Sequence, residues 1–147
     1  MAHEDGANLP GVLIVEDNAP LRQVLAVFLK KEGCRVLEVE DGPGAIDAFR
    51  READVSLILL DWNLPGMSGD KVYDELLRIR NGFLAVVMSG SPPAEVARAF
   101  AGHRISRFVQ KPFRPQTIAG LVRLLLAGGE PSTTRNSDEN ARSADCG

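Results

Sequence analysis

Four short stretches of this 147-residue sequence place polar side chains directly after apolar runs. Glu16-Asp17 follows Gly11 to Val15, Asp61 follows Val55 to Leu60, Ser89 follows Leu84 to Met88, and Lys111 comes just after Phe108-Val109. Singly, each has a plain structural use. Asp and Ser after a strand start turns or cap helices. A Lys is usually a solvated charge, and Glu16-Asp17-Asn18 could simply cap the helix that follows. Together they describe chemistry. Carboxylates held close repel and are driven toward protonation unless a cation neutralises them. Oxygen donors without His or Cys select a hard ion, Mg²⁺ or alternatively Mn²⁺. Lys111 adds positive charge and only donates hydrogens, while Ser89 can donate or accept. A hard cation, an ammonium and a hydroxyl around a carboxylate suit a phosphoryl group.

The elements that must position these residues alternate in type. Gly11–Val15, Arg35–Val39, Val55–Leu60, Leu84–Met88 and Phe108-Val109 read as strands. Between them lies helical periodicity. Leu21, Val24, Leu25, Phe28 and Leu29 form one apolar stripe, and Ile118, Leu121, Val122, Leu125 and Leu126 form another. Pro43 opens a helix carrying Ala45, Ile46 and Phe49. Ser68 is placed to cap the helix of Val72, Leu76 and Ile79, and Pro93 to Ala101 makes a shorter one. The order βαβαβαβαβα requires crossover connections and therefore a parallel sheet covered on both faces. The expected fold is α/β, a five-stranded, doubly wound, flavodoxin-like (βα)5 sheet in the order 2-1-3-4-5. Such sheets bind ligands at the carboxyl ends of their strands, which is where every residue named above falls.

Composition bounds the rest. Hydrophobic residues make up 44% and charged residues 25%, with a net charge of −3. These values suit one globular domain and give no sign of nucleic-acid or membrane binding. Uninterrupted apolar runs such as Phe83 to Met88 are far short of the ~18–20 residues that span a bilayer. No secretory signal is visible, and two cysteines, Cys34 and Cys146, make no disulfide framework, so a cytoplasmic location is expected. Residues 1–8 are polar, and residues 128–147 contain no Leu, Ile, Val, Phe, Trp, Tyr or Met. Both ends are expected to be disordered around a folded unit of residues 9–127.

In Val15-Glu16-Asp17, in Asp61-Trp62-Asn63-Leu64-Pro65-Gly66-Met67-Ser68-Gly69, in Met88-Ser89-Gly90 and in Phe108-Val109-Gln110-Lys111-Pro112-Phe113, the chain resembles the receiver domains of two-component response regulators. The resemblance runs from about Gly11 to Leu126. It implies that Asp61 is the phosphoacceptor, taking a phosphoryl group from a sensor histidine kinase, a histidine phosphotransfer protein or a small acyl phosphate. It implies Mg²⁺ held by Asp17 and Asp61, by Glu16 through water, and by the backbone carbonyl of Asn63. Lys111 and Ser89 would contact the phosphoryl oxygens, and Phe108 would be the switch aromatic that turns inward when Ser89 moves. Lys111-Pro112 would be a cis peptide, as X-Pro bonds permit. The fourth helix, fifth strand and fifth helix would form the surface read by a downstream protein, with a weak homodimer as a further expectation. The domain would not be an enzyme beyond its own phosphorylation and dephosphorylation.

Departures from the family pattern fall on the output side. Gly102-His103-Arg104-Ile105-Ser106-Arg107 replaces the usual Gly-Ala pair, and Pro92-Pro93 stiffens the start of the fourth helix. His3 and His103 are expected to be solvated surface residues. Three other readings stand beside this one. A nucleotide or flavin binder would need a glycine-rich first turn, and Glu16-Asp17-Asn18-Ala19-Pro20 is acidic and glycine-free. A phosphatase of the haloacid dehalogenase type would need an acid two residues after its nucleophile, where Asn63 stands. A scaffold receiver with a degenerate site is disfavoured because all the site residues are present. With no large apolar side chain after Ala127, a stand-alone receiver without a DNA-binding domain is expected, or alternatively one detached from a hybrid histidine kinase.

Overall fold

A computed structural model describes residues 9–128. The expectations of disorder for residues 1–8 and for the tail from residue 129 onward lie outside the described residues. Five strands form one sheet: β1 (Gly11–Val15), β2 (Arg35–Val39), β3 (Val55–Asp61), β4 (Leu84–Ser89) and β5 (Arg107–Gln110). Five helices alternate with them: α1 (Ala19–Lys31), α2 (Gly42–Arg51), α3 (Gly69–Ile79), α4 (Pro93–Ala99) and α5 (Pro115–Leu126). The strand order is β2-β1-β3-β4-β5 and every pairing is parallel. The expected doubly wound α/β fold is therefore the observed one.

Side-chain alternation along the strands builds two cores. Val12 and Ile14 join Leu57, Leu59, Val86 and Met88 on the face covered by α1 and α5. Leu13 and Val15 join Ile58, Leu60, Ala85 and Val87 on the face covered by α2, α3 and α4. Because both faces are covered, β1, β3 and β4 consist of almost nothing but fully buried residues. No described helix is long and apolar enough to cross a membrane.

Local chemistry sets the helix starts. Asn18 caps α1 by accepting from the Leu21 amide at 3.0 Å, and Asp41 caps α2 by accepting from the Gly44 amide at 2.8 Å. Ser68 occupies the corresponding position before α3, but its hydroxyl makes no bond to the helix amides. α4 ends at Ala99, two residues short of the expected Ala101, and β5 is longer by a residue at each end. Phe100 caps α4, and after Ala101 the left-handed Gly102, at φ +84°, turns the chain toward β5.

His103 corrects the sequence reading. Its side chain is only 18% exposed, and Nε2 lies 2.7 Å from Asp74 Oδ1 on α3. The ring also packs between Tyr73 and Phe100, at centroid distances of 5.2 and 5.5 Å. An isolated surface histidine has no such partners, and only the fold brings Asp74 and Tyr73 to it. Burial alone would lower the His103 pKa, but the hydrogen bond and charge of Asp74 outweigh it and raise the value above 6.5. A raised folded value means the pair stabilises fully below the unfolded pKa and is lost as pH rises through the folded one. Asp74→Asn should cost at most about 1 kcal/mol below the unfolded His value of ~6.5 and progressively less as pH rises through the folded one, read as the difference between two denaturation series.

Candidate functional site

The carboxyl ends of β1, β3, β4 and β5 meet at one rim. Glu16 directly follows β1 and Asp61 is the last residue of β3, and they are 0% and 1% exposed. Asp17 is exposed beside them. One carboxylate oxygen from each of Glu16, Asp17 and Asp61 lies within 4.8 Å of the others. Lys111, which follows β5, sends Nζ into this group, 2.8 Å from Glu16 Oε1 and 3.4 Å from Asp61 Oδ2. The Lys111–Pro112 peptide is cis.

Backbone groups hold the acids in place. The Asn18 amide donates to Glu16 Oε2 at 3.1 Å, and the Asn63 amide donates to Asp61 Oδ1 at 3.2 Å. Arg22 on α1 donates to the Glu16 carbonyl at 2.8 Å. Burial is the largest influence on Glu16 and pushes its pKa up, and the charge of Asp61 adds to it. Hydrogen bonds from Lys111 and Asn18 oppose this without cancelling it. For Lys111 burial pulls the pKa down, but the Glu16 hydrogen bond and both carboxylate charges leave it raised. One ammonium thus faces three carboxylates, and the cluster is short of positive charge. An oxygen-only donor set with two unsatisfied negative charges fits a hard divalent cation.

The β3–α3 loop depends on close approach. A Cβ on Gly69 would stand 2.7 Å from the Asp61 carbonyl oxygen and 2.8 Å from Trp62 Cα, so α3 begins against the backbone that presents Asp61. Gly66, at φ +81°, supplies the left-handed turn that brings the loop back. Gly69→Ala should cost about 1–3 kcal/mol and displace Asp61, detected as a lower melting temperature and weaker Mg²⁺ binding than wild type.

The remaining predicted residues sit nearby in different states. Ser89, at the end of β4, is 3% exposed. Its hydroxyl donates to Asn63 Oδ1 at 3.1 Å and accepts from the Ser91 amide at 2.9 Å. Phe108 lies on edge strand β5 and is 41% exposed, so it stands outside the buried core. Behind it lies a cavity of about 80 Å³ lined by Val87, Ser89, Val96 and Phe108 among others. Trp62 donates from Nε1 to Asp70 Oδ1 at 2.9 Å, which fastens the loop to the first turn of α3. Sequence reasoning missed the Asn63 side chain, considered only for its carbonyl, and the roles of Arg22 and Gly69. Asn63 and Gly69 stand inside the Asp61–Gly69 motif, where steric and hydrogen-bonding demands could have been asked of every residue. Nothing in the spacing points to Arg22.

Fold and site together define a doubly wound α/β protein with an acidic, lysine-bearing rim at the carboxyl ends of its strands. The family profile of the response regulator receiver domain matches residues 12–123, and the chain belongs to that family. Sensory transduction protein RegX3 of Mycobacterium tuberculosis is 35% identical over 132 residues, which are 88% of this chain and 56% of RegX3. DNA-binding response regulator MtrA of Mycobacterium leprae is 32% identical over 130 residues, 88% of this chain and 54% of MtrA. The chain thus spans little more than half the length of these relatives. The signal receiver domain of a putative LuxO repressor protein from Vibrio parahaemolyticus superimposes with TM-score 0.73 at 28% identity, over 82% of this chain and 92% of that one. The receiver domain of sensor histidine kinase PA1611 from Pseudomonas aeruginosa, solved with a magnesium ion in its active site cleft, shares the fold. Its TM-score is 0.70 at 22% identity, covering 82% of this chain and 99% of that one.

Proposed function

We propose that this receiver accepts a phosphoryl group on Asp61 and passes the event to a partner through α4, β5 and α5. The observation that carries the reading is the convergence of Glu16, Asp17, Asp61 and Lys111 at one rim, with Asp61 itself 1% exposed. Glu16, Asp17, Asp61 and the Asn63 carbonyl would hold Mg²⁺. When bound it neutralises the carboxylates and the incoming phosphoryl oxygens, lowering the repulsion between two anions. The magnesium-bearing cleft of the PA1611 receiver supports this assignment by analogy.

Asp61 is oriented for attack by the Asn63 amide at 3.2 Å and by Lys111 at 3.4 Å. A carboxylate oxygen of Asp61 forms a bond to phosphorus as the bond from phosphorus to the donor breaks. With a phosphohistidine donor protonated on its other ring nitrogen, the departing nitrogen keeps the electron pair and a neutral imidazole remains. Lys111 pairs with the phosphoryl oxygens and offsets their charge. The new acceptor oxygens then compete with Asn63 for the Ser89 hydroxyl. As Ser89 moves toward them, the cavity behind Phe108 gains room and the ring turns into it. The surface around β5 changes shape by a shift between two packings. A kinase or phosphotransfer protein supplies the phosphoryl group.

Trp62 follows Asp61 and is held to α3 through Asp70, so it reports on the loop. Adding Mg²⁺ with beryllofluoride, a phosphoryl mimic, should change its fluorescence with saturation. An unchanged spectrum would count against a phosphoryl site beside Trp62. Steady hydrolysis of a phosphomonoester would instead favour the phosphatase reading, which Asn63 in place of an acid argues against.

A further inference from the structure

We infer that the face built from α4, β5 and the start of α5 binds an acidic protein segment that also offers an aliphatic side chain. The inference rests on the signalling role proposed above and names the chemistry of its partner. Charge is sharply segregated along the chain. Between Glu95 and Glu130 there is no Asp or Glu, while Arg98, Arg104, Arg107, Lys111, Arg114 and Arg123 supply six cations. The rest of the chain holds 11 of the 17 cations and all 20 acids, a net charge of −9. A protein of mild overall charge therefore carries one strongly basic quarter.

Within this group Lys111 is engaged with Glu16 and Asp61, and Arg123 with Glu32 at 3.2 Å. Arg98 on α4, Arg104 in the α4–β5 link, Arg107 on β5 and Arg114 at the cap of α5 are all exposed. β5 is an edge strand, and basic residues on an edge strand deter pairing with another chain. That use does not account for Arg98 and Arg114, which lie on the flanking helices. At the centre of the band stands Phe108, 41% exposed, beside the cavity of about 80 Å³ lined by Val87, Pro93, Val96 and Val109. A basic rim around an exposed aromatic and an apolar hollow matches an acidic segment with one aliphatic anchor. A phosphate backbone would meet the charges but leave the apolar hollow unused. A second copy docked symmetrically would bring two arginine-rich faces together, with Glu95 the one acid that each α4 offers.

The test uses the whole chain and a synthetic peptide in which pairs of Glu alternate with Leu, with binding followed by fluorescence anisotropy with and without Mg²⁺ and beryllofluoride. Binding is expected without beryllofluoride, when the hollow beside Phe108 is open, and should be weaker with it, when the ring fills the hollow. It should weaken as salt rises. It should also fall at least about tenfold in a double variant Arg98→Glu, Arg104→Glu, two charge reversals against an anionic ligand. Both positions are exposed, so the fold is retained, which circular dichroism checks. A peptide with Gln for Glu, or with Ser for Leu, should bind weakly. Equal binding of the Gln peptide, tighter binding of a short DNA duplex, or self-association through this face in sedimentation would each overturn the inference. So would absence of peptide binding without beryllofluoride. Phosphoryl incorporation from acetyl phosphate, measured on the same sample, separates the two claims. Incorporation without peptide binding removes only the inference, whereas no incorporation removes the signalling role beneath it.

Discussion

Replacing Asp61 with Asn should reduce phosphoryl incorporation from acetyl phosphate to background while leaving the fold intact. The substituted carboxamide would keep the shape of the side chain but lose the anionic nucleophile that forms the bond. The charge balance predicts what happens to stability. Asp61 lies with Glu16 and Asp17 in a cluster that holds one ammonium for three carboxylates. Removing one negative charge relieves repulsion, and the tighter Lys111–Glu16 contact at 2.8 Å is retained. Thermal stability without Mg²⁺ should therefore be unchanged or higher, and stabilisation by added Mg²⁺ should shrink. Loss of incorporation together with unfolding would point to a structural role for Asp61 instead.

Lys111→Met should have the opposite pattern. Glu16 has no exposed surface, and the substitution takes away its 2.8 Å donor as well as the cation nearest Asp61. Breaking a buried pair from one side costs about 3–5 kcal/mol. Lys111 is 25% exposed, and solvent at its end screens part of the interaction, so about 2–3 kcal/mol is expected at neutral pH. The pH dependence has a definite sign. Glu16 is already pushed up by burial, and the Lys111 hydrogen bond is the largest effect pulling it back. A carboxyl with a raised folded pKa keeps its proton longer in the fold than in the unfolded chain. Stability then falls as pH rises from the unfolded value of 4.5 through the folded one. The variant should show a steeper fall than wild type over that window in urea denaturation. It should also bind Mg²⁺ more tightly, because the ammonium no longer competes for the carboxylates, and still accept phosphoryl groups more slowly. Weaker Mg²⁺ binding in the variant would contradict this electrostatic account.

The strand order and both cores were legible because each strand is short, apolar and followed by a helix with a clear stripe. Val55–Leu60 and Leu84–Met88 admit little besides buried parallel strands. The position of Glu16, Asp61, Ser89 and Lys111 at one rim followed from that topology and needed no side-chain detail. What sequence could not carry depends on contacts across the fold. His103 reads as a solvated link residue until Asp74 and Tyr73, far earlier in the chain, are seen against it. Ser68 has the right type for a cap, yet its hydroxyl leaves the α3 amides alone. Phe108 is apolar and sits in a strand, so core is the natural reading. Only its place on the edge of the sheet turns the ring out to solvent. The Asn63 side chain is ambiguous in the same way, since its partners Ser89 and Ser91 arrive from the next strand and loop.

The basic quarter of the chain is legible in a different way. Its charges are visible in sequence, but their collection on one side becomes meaningful only once α4, β5 and α5 are seen as neighbours.

The atom that receives the phosphoryl group decides whether this receiver signals as proposed. Wild-type protein incubated with Mg²⁺ and acetyl phosphate, reduced with borohydride and digested, should yield a single peptide in which position 61 has become homoserine, the product of a reduced aspartyl phosphate. Unmodified Asp61 under conditions where the protein binds Mg²⁺, or homoserine at Asp17 or any other acid, would contradict it.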